Sequence, residues 1–272
     1  MGGDDPAALA GRDVTALDRA ELDITDLAAV MAATVGFDVI INAAAYTKVD
    51  DAETNEDAAY AINAVGPHNL ALAAAAQNAR LVQISTDYVF DGSATEPYSE
   101  DTTIDPISAY GRTKAAGEAF VLATHPTGSY IVRTAWLYGE HGPNFPKTML
   151  KLAAARDTLT VVDDQVGQPT WTADLAAQVV ALLDANAPAG IYHGTNSGVT
   201  SWFGFAQAVF ASSNLDPARV TPTDSSQFVR PAPRPSYSVL GHDAWQSAGL
   251  APMRDWRDAL ADAQAQRIFE EK

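Results

Sequence analysis

Short apolar runs rich in β-branched residues alternate with alanine-rich stretches of helical spacing along most of the chain. That is the pattern of a parallel sheet covered by helices on both faces. The first apolar run is residues 13–18. Thr25 or Asp26 is placed to cap a helix over Leu27–Ala33, because a short oxygen-bearing side chain there accepts from the open amides of the first turn. Residues 38–42 read as an almost wholly apolar strand, as expected when both faces are covered. Helical spacing then spans 54–78, where Pro67 predicts a break or kink because it has no amide hydrogen. Arg80–Thr86, 129–136 and Gly190–His193 read as further strands, and a helix begins at Ser108 or Tyr110 and runs to Ala123.

Beyond Leu137 the alternation is less regular. Helices are predicted over 147–156, 172–185, 203–212 and 255–271. Arg230-Pro231-Ala232-Pro233-Arg234-Pro235 is too stiff for a helix interior and reads as an ordered loop. The expected division is a nucleotide-binding unit over 1–137, with 160–196 contributing to it, and a smaller lobe mainly over 138–272.

Seventeen Lys and Arg against 34 Asp and Glu give a net charge of −17, which repels phosphate backbones and anionic lipid surfaces. Nucleic-acid and membrane partners are therefore not expected. The absence of cysteine removes disulfides, thiolate zinc sites and cysteine nucleophiles. No apolar run reaches the length of a membrane helix, and Met1-Gly2-Gly3-Asp4-Asp5 lacks a secretory pattern; a cytoplasmic protein is the expectation. The five histidines are scattered, and no metal ligand is assigned.

The most specific chemistry lies in Tyr110-Gly111-Arg112-Thr113-Lys114. On a helix, Tyr and Lys at i and i+4 share a face, and a nearby ammonium lowers the pKa of a phenol. Ser85 and Thr86 end a predicted strand upstream, at the carboxyl edge where ligands of open α/β sheets bind. Hydroxyl, Tyr and Lys together resemble the short-chain dehydrogenase/reductase superfamily.

Longer matches narrow the resemblance: Ser85-Thr86-Asp87-Tyr88-Val89-Phe90-Asp91-Gly92, Asn42-Ala43-Ala44-Ala45-Tyr46-Thr47 followed by Val49-Asp50, Asn63-Ala64-Val65-Gly66-Pro67, the Tyr110–Lys114 segment through Gly117-Glu118, Arg133-Thr134-Ala135-Trp136-Leu137-Tyr138-Gly139, Asp164-Gln165-Val166-Gly167-Gln168-Pro169-Thr170 and Arg234-Pro235 with Ser238-Val239-Leu240. These resemble the dTDP-4-dehydrorhamnose reductase family. The resemblance implies an α/β fold, a Rossmann-like doubly wound parallel sheet with a smaller C-terminal substrate-binding lobe. It implies reduction of the 4-keto group of a dTDP-sugar by NADPH or NADH. Tyr110 would donate the proton, Thr86 would bond the carbonyl oxygen, and Lys114 would lower the phenol pKa and hold the nicotinamide ribose. Asp23 and Ile24 match positions near adenine, Ala43, Ala44 and Tyr46 the loop over ribose and pyrophosphate, and Asn63 a position near the cofactor. Asp87, Trp136 and Arg234 match the substrate side, with Thr86. Asp18 favours NADH and Arg19 a 2′-phosphate, so the cofactor choice stays open. Some relatives hold Mg2+ at a dimer interface; a homodimer is compatible with the resemblance, but no ligand set for the ion stands out.

One departure is large. The family opens with a strand and a Gly-rich turn whose amides receive the pyrophosphate. Met1 to Ala10 offers neither, so the run 13–18 corresponds to a second strand and the central one is missing. Weak dinucleotide affinity and reduced stability are expected of the chain as written. That departure keeps a non-catalytic binding subunit of the same fold as the alternative, like the regulatory subunit of methionine adenosyltransferase. Another nucleotide-sugar reductase or epimerase is a further alternative.

Overall fold

The computed structural model describes residues 11–270; the expectations for Met1 to Ala10 lie outside them. In chain order the elements are α1 (Leu27–Ala33), β1 (Val39–Asn42), α2 (Val49–Ala52), α3 (Glu56–Tyr60), α4 (Gly66–Gln77), β2 (Arg80–Thr86), α5 (Ala109–Thr124), β3 (Ser129–Thr134), β4 (Leu137–Tyr138) and α6 (Phe145–Ala155). There follow β5 (Leu159–Val162), β6 (Val166–Gly167), β7 (Thr170–Trp171), α7 (Thr172–Asp184), β8 (Gly190–His193), β9 (Thr200–Ser201), α8 (Trp202–Ser212), β10 (Val220–Thr223), α9 (Asp243–Ser247) and α10 (Trp256–Ala265).

The main sheet is parallel, in the order β1-β2-β3-β8. Its strands follow chain order. One face carries Val82, Ile84, Tyr130 and Val132 against Leu175, Val179 and Leu182 of α7. The other carries Leu81 and Ile131 against Leu70 and Ala74 of α4 and Val121 of α5. Two-sided cover of this kind is what makes the strand sequences continuously apolar. A separate core, formed from residues 138–269, gathers Tyr138, Met149, Trp171, Phe205, Phe210 and Trp256 around α6, α8 and α10.

Side-chain caps set several helix starts. Asp26 accepts from the amides of Ala28 and Ala29 at α1, Ser108 from Gly111 at α5, and Asn144 from Lys147 at α6. Among the described residues no helix is long and apolar enough to cross a membrane.

Three expectations are corrected. Residues 13–18 form no strand and are exposed. β1 is the edge of the sheet and no strand pairs with its outer side among the described residues, so the run 13–18 has no ladder in which to place its backbone hydrogen bonds. Second, Pro67 does not end the helical run. The run over 56–77 is continuous but changes winding, with a π-turn over Ala61–Val65 just before Pro67, which has no amide hydrogen to donate back into that turn. Third, β3 stops at Thr134, because Trp136 takes a left-handed backbone with φ 49° and cannot continue an extended strand.

Candidate active site

The carboxyl end of β2 and the first turns of α5 meet here. Thr86 ends the strand, and its hydroxyl oxygen accepts from the Tyr88 amide at 3.2 Å, turning the chain into a short 3-10 helix over Asp87–Val89. Gly111 lets α5 dock on that turn: a Cβ there would stand 2.2 Å from the Tyr88 carbonyl oxygen. Replacing Gly111 by alanine is therefore expected to push α5 from the turn and destabilise the fold by ~1–3 kcal/mol, as overpacking does. Urea unfolding of the variant checks this.

The close approach sets Tyr110 beside Tyr88, ring edge to face at 5.6 Å and 76°. Lys114, one turn on, is buried, and its ammonium donates to the Ile84 carbonyl at 2.7 Å. Burial pushes the Tyr110 pKa up; the Thr86 hydroxyl opposes the rise, and the Asp87 charge and Tyr88 add to it. Burial also lowers Lys114 to about 8, against the pull of Glu118. Tyr110 is consequently protonated throughout the neutral range, the state a proton donor needs before a reduction begins.

Asp87 is buried, and its carboxylate accepts from the Thr86 hydroxyl at 2.9 Å. Burial raises its pKa to about 6, while the hydroxyls of Ser238 and Thr86 and nearby amides oppose the shift. Arg234 reaches the same place from the proline-rich loop. Its guanidinium lies 5.8 Å from the Tyr88 ring centre, donates to the Tyr88 hydroxyl at 3.3 Å and pairs with Asp50 at 2.9 Å. Trp136 joins through Gly167, where a Cβ would stand 2.7 Å from its ring and 3.0 Å from the Ser238 hydroxyl oxygen. It stacks on Trp202 at 3.6 Å and 11°, and Phe145 packs against Trp202 in turn.

The residues expected at the cofactor divide. Asp23, Ile24, Ala43 and Ala44 line a cleft of about 840 Å3 between the loop 15–25 and β1, and Arg19 lines it with them. Asn63 instead braces the chain: its side chain accepts from the Tyr46 amide and donates to the Tyr46 carbonyl and the Thr113 hydroxyl. The Tyr46 hydroxyl bonds Asp51. Among the described residues no glycine lines the cleft, so it offers no Gly-rich turn for a diphosphate. Among the described residues no group of three or more His, Asp or Glu is placed to hold a metal ion.

Sequence reasoning gave no role to Tyr88, Asp50 or Ser238. All three lie in the stretches that carry the resemblance, so their signal was present; that Asp50 meets Arg234 and Ser238 nears Asp87 is visible only when the 230–240 segment folds back.

The family described as the RmlD substrate binding domain matches residues 5–268. The chain belongs to this family. It is 53% identical over 259 residues to a dTDP-4-dehydrorhamnose reductase of Streptomyces griseus, covering 93% of this chain and 85% of that one. A dTDP-4-keto-6-deoxy-D-glucose reductase of Streptomyces niveus is 48% identical, with 92% and 87% covered. The solved structure of dTDP-4-dehydrorhamnose reductase from Bacillus anthracis in complex with NADP superposes with a TM-score of 0.91, at 41% identity, covering 94% of this chain and 90% of that one. The α/β fold with a parallel Rossmann-like sheet is thus a family property of this chain.

Proposed function

We propose that this chain is a reductase that converts dTDP-4-dehydro-L-rhamnose to dTDP-L-rhamnose with NADPH. The observation that carries this reading is the part-buried Tyr110 standing with Thr86 at the carboxyl end of β2, with Lys114 one helical turn away. When bound, the reduced nicotinamide supplies the hydride. As negative charge collects on the sugar's carbonyl oxygen, Tyr110 gives it a proton, and the oxygen that results is a strong enough base to take one even from a phenol of raised pKa. Thr86 bonds the same oxygen. Lys114, fixed on the Ile84 carbonyl, holds the nicotinamide ribose and presents its charge beneath the phenol.

The lobe over 138–272, with Trp136 from its border, takes the substrate. The Trp136–Trp202 stack makes an apolar wall for the sugar, and Arg234 is the cation for the diphosphate, exchanging Asp50 for it. Asp23, Ile24, Ala43 and Ala44 take the adenosine side of NADPH. The reading also places the enzyme in the cytoplasm, in keeping with its acidic, cysteine-free composition.

Asp18 is committed to its own turn, accepting from the Ala20 and Glu21 amides. This leaves Arg19 as the cleft's cation for a 2′-phosphate. Arg19→Ala is accordingly expected to weaken NADPH about tenfold, by the loss of one charge-assisted hydrogen bond, and to leave NADH affinity within twofold. Fluorescence titration with both nucleotides reads the difference. The reaction itself is tested by NADPH deuterated at its transferable position: deuterium at the sugar C4 carbon is expected, and its absence from a formed product removes direct hydride reduction.

A further inference from the structure

Asp87 sits beneath the catalytic hydroxyl without a cation of its own. It is 2% exposed. One carboxylate oxygen takes the Thr86 hydrogen at 2.9 Å, and the other is shut off from solvent with no well-formed hydrogen bond, the Ser238 hydroxyl being its polar neighbour. A buried acid in this state is costly when ionised, because two hydroxyls and nearby amides replace only part of its lost hydration. The titratable groups facing it are Tyr88 on its own turn and Tyr110 on α5, both acids; Ser238 approaches from the C-terminal segment as a neutral hydroxyl. Arg234 is paired with Asp50 and contacts the far side of this group through Tyr88.

The hydroxyl of Thr86 owns a single hydrogen. Its oxygen already accepts from the Tyr88 amide, and its hydrogen points at Asp87. In that arrangement Thr86 offers a lone pair to the site. A ketone oxygen is an acceptor too and gains nothing from it. Thr86 can serve the carbonyl only if the hydrogen is turned away from Asp87. An ionised carboxylate holds such a hydrogen about twice as strongly as a neutral acceptor does. A neutral carboxylic acid competes with the ketone on equal terms and can itself donate to the Thr86 oxygen.

We propose that Asp87 is a positioning residue whose protonation turns the Thr86 hydroxyl from Asp87 to the carbonyl oxygen of the substrate. The proposal rests on the reductase reading above and assigns Asp87 a task distinct from binding the sugar. No proton leaves Asp87 in turnover; the proton delivered to product still comes from Tyr110. Ionisation of Asp87 withdraws one hydrogen bond from the developing oxyanion, a loss on the order of tenfold in rate. Its raised pKa puts the change at about pH 6, and acid is the active side: kcat rises as the pH falls through that value.

The test is the pH profile of kcat for wild type, Asp87→Asn and Thr86→Val at saturating NADPH and dTDP-4-dehydro-L-rhamnose, together with the carbon-13 NMR titration of Asp87 in wild type and Thr86→Val. Wild type is expected to be about tenfold faster at pH 5.5 than at pH 8. Asp87→Asn, neutral at every pH, is expected to lose that dependence, its kcat varying less than about twofold between pH 5.5 and pH 8. Thr86→Val is expected to be slow and flat across the range, and to raise the Asp87 pKa because the hydroxyl no longer supports its charge. An unchanged pH dependence in Asp87→Asn, or an Asp87 titration indifferent to Thr86→Val, overturns the proposal. Absence of turnover by wild type while the Thr86–Asp87 coupling is seen by NMR rejects the reductase reading and the role of Asp87 in it, leaving only a structural hydrogen bond.

Discussion

Tyr110→Phe is expected to lower kcat by ~10²–10⁴ while KM for the dTDP-sugar moves less than threefold. The range is what a positioned proton donor contributes to a step that builds charge on oxygen. Only the hydroxyl is lost: the ring keeps its edge-on contact with Tyr88 at 5.6 Å, and the Gly111 approach that seats α5 does not involve the phenol oxygen. A fall in kcat with KM preserved identifies an interaction made in the transition state. If Tyr110→Phe kept more than a tenth of the wild-type kcat, the proton would have to come from elsewhere, with water reaching the site as the first candidate.

A second large effect is expected far from solvent. Glu118 of α5 and Arg133 of β3 form a bidentate pair, Nε to Oε1 at 3.0 Å and Nη2 to Oε2 at 2.7 Å, with both side chains only 3% exposed. The third edge of the guanidinium faces His193 Nε2 at 3.4 Å, while His193 Nδ1 lies 3.0 Å from the Gly241 carbonyl. The tautomer follows from these partners: Nδ1 donates to the carbonyl and Nε2 accepts from Arg133. Burial and the Arg133 charge push the imidazole down to about 3, so His193 is neutral and cannot replace Glu118 as a counter-charge. Glu118→Ala is expected to cost ~3–5 kcal/mol, because it strands a guanidinium in the core. Glu118→Leu with Arg133→Met is expected to recover most of that loss. Loss of Glu118 also removes the charge that holds the Lys114 pKa up, so the ammonium should titrate below about 8. Urea unfolding of the single and double variants decides the case. A loss below about 1 kcal/mol in Glu118→Ala would show that water reaches the pair.

How far the sequence revealed this molecule depends on where the information is local. The strands at 80–86 and 190–193, and the capped helix at 27–33, were legible because apolar runs and cap residues act within a few positions. Thr86, Tyr110 and Lys114 were legible as a trio for the same reason: a helical i, i+4 spacing and a strand end are local. Residues 13–18 were misread because a β pattern becomes a strand only beside a partner, and among the described residues none pairs with the outer side of β1. That the Lys114 ammonium rests on the Ile84 carbonyl was not legible, because an i, i+4 spacing shows a shared face and not a hydrogen-bond partner. The Asp50–Arg234 pair and the Ser238–Asp87 neighbourhood join residues more than a hundred positions apart. No local pattern announces such contacts.

The central claim is that these residues reduce a dTDP-4-keto sugar. It is tested most directly by mixing the purified chain with dTDP-4-dehydro-L-rhamnose and NADPH, following loss of the reduced nicotinamide absorbance, and identifying the product by NMR. Stoichiometric loss of NADPH with formation of dTDP-L-rhamnose is the expected result. A folded chain that binds the dTDP-sugar and NADPH together yet consumes neither would contradict it.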